Sequence, residues 1–159
     1  MFDKKIFQEY GLRLKIAGEI EFYIEPPLVS EERENEFQER LLGKLAEAGL
    51  MLWSFQNEVA PNQYEVALQP READVAIREL NELKNIISDT LKEFDAAALF
   101  KAKPYENLPG CGLHIHIGID DANGDSVLHR TGEFGNRDGE SVVMLHAIGG
   151  LCATMLVTR

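Results

Sequence analysis

The run from Gly110 to Ile119, GCGLHIHIGI, ends in an alternation of imidazoles and branched aliphatic side chains with a period of two. Successive side chains of a β-strand point to opposite faces, so His114 and His116 share one face, with Leu113, Ile115, Ile117 and Ile119 on the other. The second face has the composition of a buried sheet surface. The same arrangement occurs near the start of the chain, where GEIEF sets Glu19 and Glu21 on one face and Ile20 and Phe22 on the other. Two strands that each bury one face and line up ionisable groups on the opposite face restrict the fold to a sheet with one chemically active side.

The remaining pattern supplies that sheet and its cover. The segment LRLKIAGEIEFYIEPP reads as a strand rich in β-formers and ended by Pro26-Pro27. In SEERENEFQERLLGKLAEAGL, Ser30 is the N-cap, acids fill the first turn, and Phe37, Leu41, Leu42 and Leu45 form an apolar stripe, with Gly49 as the stop. Two extended segments joined around Pro61-Asn62 follow, with Trp53 and Tyr64 as core or strand-face aromatics. A second helix is expected from Glu72 or Asp74 to Phe94, its stripe made by Leu80, Leu83, Ile87, Leu91 and Phe94. AALFKAKPY reads as another strand, ended by Pro104; a loop is expected from Asp120 to Gly139 and a last helix from near Glu140. Strands outnumber helices and short turns join several of them, which predicts an α+β fold, an antiparallel β-sheet backed by helices, with residues 1–159 in a single domain.

Composition narrows the function classes. Hydrophobic residues make up 45% of the 159, so a real core can form. A formal net charge of −11 argues against a nucleic-acid partner, because phosphate binding needs a basic surface. The longest apolar stretch, AIGGLCATMLV, is too short to span a bilayer, and the expected location is the cytoplasm. Cys111 and Cys152 form neither a CxxC pair nor a disulfide framework, which fits a reducing compartment.

Glu58 and Glu65 lie in the two segments around Pro61-Asn62; their odd separation would put them on opposite faces of one strand unless a turn or bulge intervenes. With Glu19, Glu21, His114 and His116 they make four carboxylates and two imidazoles at strand positions beside apolar neighbours. Carboxylates facing a sheet interior are costly unless paired or bound to a cation. The residue types suit Mg²⁺ or Mn²⁺ rather than structural zinc. The plain alternative is a solvated sheet face, and taken singly an E-x-E or H-x-H means no more than that. Cys111 beside two histidines has no orienting third group and reads as a small loop residue. His129 and His146 have no evident partner in the sequence.

In order, GEIEFYIE, EVAPNQYEVAL, the AD that opens the second helix, FKAKP, GCGLHIHIGI and HAIGGLCATM resemble the catalytic domain of glutamine synthetase, over about Gly18 to Met155. The resemblance implies part of that family's guanido-kinase-like catalytic fold. The implied activity is an ATP-dependent joining of ammonia or an amine to the side-chain carboxylate of glutamate, the carboxylate first being phosphorylated. Glu21, Glu58 and Glu65 would be ligands of a first Mg²⁺ or Mn²⁺, and Glu19 and His114 two of three protein ligands of a second. His116 would stand on the nucleotide side, and the Gly110 backbone would meet the substrate amino group. The implied partners are ATP, a glutamate-like amino acid, and either further copies of the chain or a missing complementary half.

The departures are specific. Pro109-Gly110 stands where the family usually has Asn-Gly, Gly118 where many members have serine, and Asn62 where a turn glycine is usual, the last tolerated because asparagine accepts positive φ. The family's N-terminal β-grasp domain and C-terminal catalytic half, with its remaining glutamate ligand and its arginines, are expected to be absent, and ATMLVTR leaves the family pattern after Met155. The resulting expectation is an incomplete catalytic domain, inactive alone, with no complete catalytic set of its own. The alternatives are a non-catalytic remnant or interaction module that keeps the fold and a metal site, and a complete small metal- or nucleotide-binding protein. Leu151, Met155, Leu156 and Val157 would give the last helix an apolar end that favours self-association or a missing half.

Overall fold

In the structure, a computed structural model that describes residues 7–128 and 141–155, strand β1 (Arg13–Glu25) is the longest strand and the one with the most neighbours. The other strands are β2 (Leu52–Asn57), β3 (Gln63–Leu68), β4 (Arg71–Glu72), β5 (Ala97–Leu99) and β6 (Leu113–Asp120). The sheet order is β2-β3-β1-β4, and β5 and β6 also pair with β1. The pairings β1–β3, β2–β3 and β1–β5 are all antiparallel, as the sequence predicts.

Two compact units divide the chain, one of residues Ile16–His116 and one of residues 1–15 with 117–159. In the first, helices α1 (Glu31–Glu47) and α2 (Ala73–Lys92) supply the cover. Ser30 caps α1 with its hydroxyl, which accepts from the Arg33 amide at 3.2 Å, and Gly49 takes a positive φ of 71° just beyond the helix. The core joins Ile20, Phe22 and Ile24 of β1 and Tyr64, Val66 and Leu68 of β3 to the helix stripes. Phe37, Leu41 and Leu45 come from α1 and Leu83, Ile87 and Leu91 from α2. Leu42, expected on the α1 stripe, is only half-buried. Arg40 bridges the two helical segments through Glu93 at 2.9 Å, and Lys44 pairs with the same carboxylate.

The second unit contains a Lys15–Asp120 ion pair at 2.6 Å, a bridge between Asp120 and Ser126, and helix α3 (Val142–Met155). Ser141 starts α3, its hydroxyl accepting from the Met144 amide at 3.1 Å. His129, Glu140, Leu156 and Val157, the Met155 side chain and most of the expected loop lie outside the described residues. Among the described residues no helix is long and apolar enough to cross a membrane.

Two expectations need correction. AALFKAKPY keeps strand structure only over Ala97–Leu99. The face of β6 that reads as buried is not: Leu113 is 53% exposed and Ile115 46%. They form one wall of a shallow cleft whose other wall is Ile77 and Leu80 of α2, so the helix covers only the margin of that face. Leu83 is fully buried and Ile77 is more than half exposed. Leu83→Ala should therefore lower unfolding stability by about 3 kcal/mol, and Ile77→Ala should change it by no more than about 0.5 kcal/mol. Urea unfolding with an unchanged m-value checks both, and equal losses would show that α2 is oriented differently.

Candidate metal centre

Register places the acids. Across β1 and β3, Glu21 stands opposite Glu65 and Glu19 opposite Ala67. Directly opposed residues share a sheet face, so Glu19, Glu21 and Glu65 all project to the side away from Ile20 and Phe22. After β2 the chain turns back: Asn62 takes φ 59°, the Gln63 amide donates to the Ala60 carbonyl at 3.2 Å, and the Glu58 amide donates to the Gln63 carbonyl at 2.8 Å. The turn removes the odd-spacing objection. Glu21, Glu58 and Glu65 each bring an oxygen to within 4.8 Å of the others, and a second triad within the same limit is Glu19, Glu65 and His114.

Strand β6 delivers both imidazoles to this side. His114 Nδ1 lies 3.3 Å from Glu19 Oε2 and 4.0 Å from Glu65 Oε2, and its Nε2 is 3.7 Å from Glu21 Oε1. His116 Nε2 is 2.9 Å from Glu19 Oε1. All the acids and both histidines singled out in the sequence thus come together; His116 meets Glu19 alone among them.

The loop before β6 is strapped to the same carboxylates. Tyr23 donates its hydroxyl to the Pro109 carbonyl at 2.9 Å, and Gly112 donates its amide to Glu21 Oε2 at 3.0 Å. Gly110 has no room for a side chain, because a Cβ there would lie 2.3 Å from the Ala102 carbonyl oxygen. Cys111 is half-buried, and burial followed by the Glu21 charge pushes its thiol up from the usual range, away from a reactive thiolate.

Gln63 is a site residue that the sequence reading missed. It is 2% exposed, and its Nε2 donates both to Glu21 Oε2 at 3.1 Å and to the Gly110 carbonyl at 2.9 Å. Both partners are acceptors, so they fix which way the amide points. Its Oε1 is buried without a protein partner, which leaves one acceptor inside the acidic cluster open to a ligand or its water. A signal was present: Gln63 precedes Glu65 by two on one strand and shares its face.

Glu65 feels both burial and its acidic neighbours. Burial pushes its carboxyl up from the ordinary range and the charge of Glu19 adds to this; a hydrogen bond from Gln56 opposes it, and Glu58 and Glu21 raise it further. Three hard oxygen donors around one point, repelling one another, fit a divalent cation of the Mg²⁺ or Mn²⁺ class. The raised pKa also fixes the sign of a pH effect. Between the ordinary carboxylate range and the raised value the folded chain binds more protons than the unfolded one, so stability falls as pH rises through that window. In chelator, Glu65→Gln should gain stability relative to the unaltered chain as pH rises through it. Melting temperatures against pH check this, and parallel curves would contradict the assigned cause.

With this geometry in hand, comparisons identify the lineage. The family model described as glutamine synthetase, catalytic domain, matches residues 23–157. Gamma-glutamylethanolamide synthetase GlnA4 of Streptomyces coelicolor is 31% identical over 111 residues, 70% of this chain and 22% of that protein. Gamma-glutamylputrescine synthetase PuuA of Escherichia coli is 33% identical over 72 residues, 45% of this chain and 15% of its own. The chain therefore spans about a fifth of the length of these relatives. The solved structure titled "Apo GmaS without ligand" superposes with a TM-score of 0.81 at 20% identity, covering 96% of this chain and 39% of that one. The Plasmodium falciparum glutamine synthetase does so at 0.78 and 18% identity, covering 93% and 37%. At such identities the structures establish the antiparallel α+β fold, and the family match establishes the rest: this chain belongs to the glutamine synthetase family, within its catalytic domain.

Proposed function

We propose that the chain supplies the metal-binding face of an ATP-dependent carboxylate–amine ligase. The observation that carries this reading is the convergence of Glu21, Glu58 and Glu65 within 4.8 Å, with Glu19 and His114 adjoining them through Glu65. Glu21, Glu58 and Glu65 would hold one divalent cation, and Glu19 with His114 would contribute to a second. Bound there, Mg²⁺ or Mn²⁺ offsets phosphate charge and acts as a Lewis acid in phosphoryl transfer.

The chain's own groups arrange the rest. Gln63 donates to the Gly110 carbonyl, whose second lone pair remains for the ammonium of a glutamate-like amino acid. His116 faces the nucleotide side, oriented by Glu19. The amine is ammonia or a larger amine; the names of the Streptomyces and Escherichia relatives specify γ-glutamyl products of ethanolamine and putrescine. Arginines for the phosphates and a further glutamate ligand would be supplied by residues other than those that converge here. The cytoplasm is the proposed location.

A second reading, an interaction module that keeps the fold and the metal site without ligation, is favoured by the exposed Leu113 and Ile115 and by proline at position 109. Titration with Mn²⁺ tests the metal site, which both readings require. Saturable binding, a melting temperature that rises with Mn²⁺, and at least a tenfold loss of affinity in Glu21→Gln are expected. The unaltered chain failing to bind Mn²⁺ saturably would remove the ligase reading and leave the inherited fold.

A further inference from the structure

Trp53 is the largest exposed apolar side chain beside the acidic face, 70% exposed on β2. Its position follows from an irregularity in the sheet. Leu52 pairs with Leu68 and Ser54 with Ala67, so the register shifts between Leu52 and Ser54 and Trp53 is the extra residue of a β-bulge. In an unbroken strand Trp53 would share the face of Phe55, which packs against the core. The bulge re-aims it to the other side.

There it borders a cleft of about 310 Å³ whose apolar lining includes Ala67, Leu68 and Pro70 and whose polar end is the Glu19–His116 pair. The volume is at the lower end of the range of small-molecule sites, which combine an apolar lining with a few placed polar groups. Ser54 stands opposite Ala67, and Ala67 opposite Glu19. Two inter-strand steps, about 10 Å, therefore separate the backbone beside the indole from the carboxylate end. The ligand this cleft fits is flat and apolar at one end and anionic, carried with a cation, at the other.

We propose that Trp53 is the platform on which the nucleobase of the nucleotide stacks, its phosphates lying toward Glu19 and His116. This rests on the ligase reading above and adds to it the residue that holds the base. Stacking on an indole uses the π-face that every base possesses, so Trp53 contributes affinity for the ring without selecting its edge groups.

Trp53 is the only tryptophan in the chain, so its fluorescence reports on this place alone. The test titrates the 159-residue chain in Mg²⁺ with ADP and, separately, with tripolyphosphate, which has phosphates and no base. ADP is expected to change the fluorescence saturably and tripolyphosphate to leave it nearly unaltered. By calorimetry, Trp53→Ala should bind ADP about tenfold more weakly, Trp53→Phe should retain most of the affinity, and tripolyphosphate binding should be the same in all three. Trp53→Ala binding ADP as tightly as the unaltered chain would overturn the platform alone. Loss of ADP and tripolyphosphate binding together in Trp53→Phe would show a structural role instead and overturn it as well. An unaltered chain that binds Mn²⁺ but neither phosphate ligand would overturn the nucleotide reading itself, and the platform with it.

Discussion

The alternation of β1 determines the core and the acidic face at once. Ile20, Phe22 and Ile24 are buried among the helix stripes, and the same backbone then sends Glu19, Glu21 and Tyr23 to the opposite side. Burying each large apolar side chain contributes about 1.5–3 kcal/mol, and β1 buries Ile20, Phe22 and Ile24, whereas Glu21 opposite Glu65 is a single like-charge contact. The core therefore sets the register, and the register brings Glu21 opposite Glu65 despite their repulsion. A slip of one residue would put Glu19 and Glu21 into the core and the aliphatic groups of β1 into the acidic cluster, so there is no cheap way to relax the site.

Much of this was legible in the sequence because period-two patterning survives wherever strands are regular. Glu19 with Glu21, and His114 with His116, could be assigned to shared faces from spacing alone, and the structure places them so. Glu58 and Glu65 needed a turn that spacing could suggest but not shape; Asn62 at φ 59° supplies it. Trp53 was not legible, since a bulge changes the face of a residue without changing its neighbours in sequence. Spacing puts Gln63 on the face of Glu65, but an uncharged amide beside two carboxylates shows its role only through its hydrogen bonds. The apolar stripe of β6 misled in the other direction. Alternation reports which residues share a face, and it does not report whether anything packs on that face; Leu113 and Ile115 meet only the edge of α2.

The two oxygens of Glu21 have different tasks. Both hydrogen bonds to this carboxylate, from Gln63 and from the Gly112 amide, fall on Oε2, while Oε1 faces His114 at 3.7 Å. Oε2 is thus occupied in holding the loop before β6, and Oε1 is the atom that would be left to face the proposed cation. The Glu21 amide completes the clasp by donating to the Gly112 carbonyl at 3.1 Å, and a Cβ on Gly112 would come within 2.6 Å of the His114 ring. Gln63 ties the Gly110 carbonyl to that same Oε2. A cation drawing on Glu21 would therefore act on a side chain already bonded to the loop proposed to meet the amino acid. Metal and amino-acid sites built this way share one carboxylate, so their geometries are set together by the β1–β3 register and not by the loop's own conformational preferences.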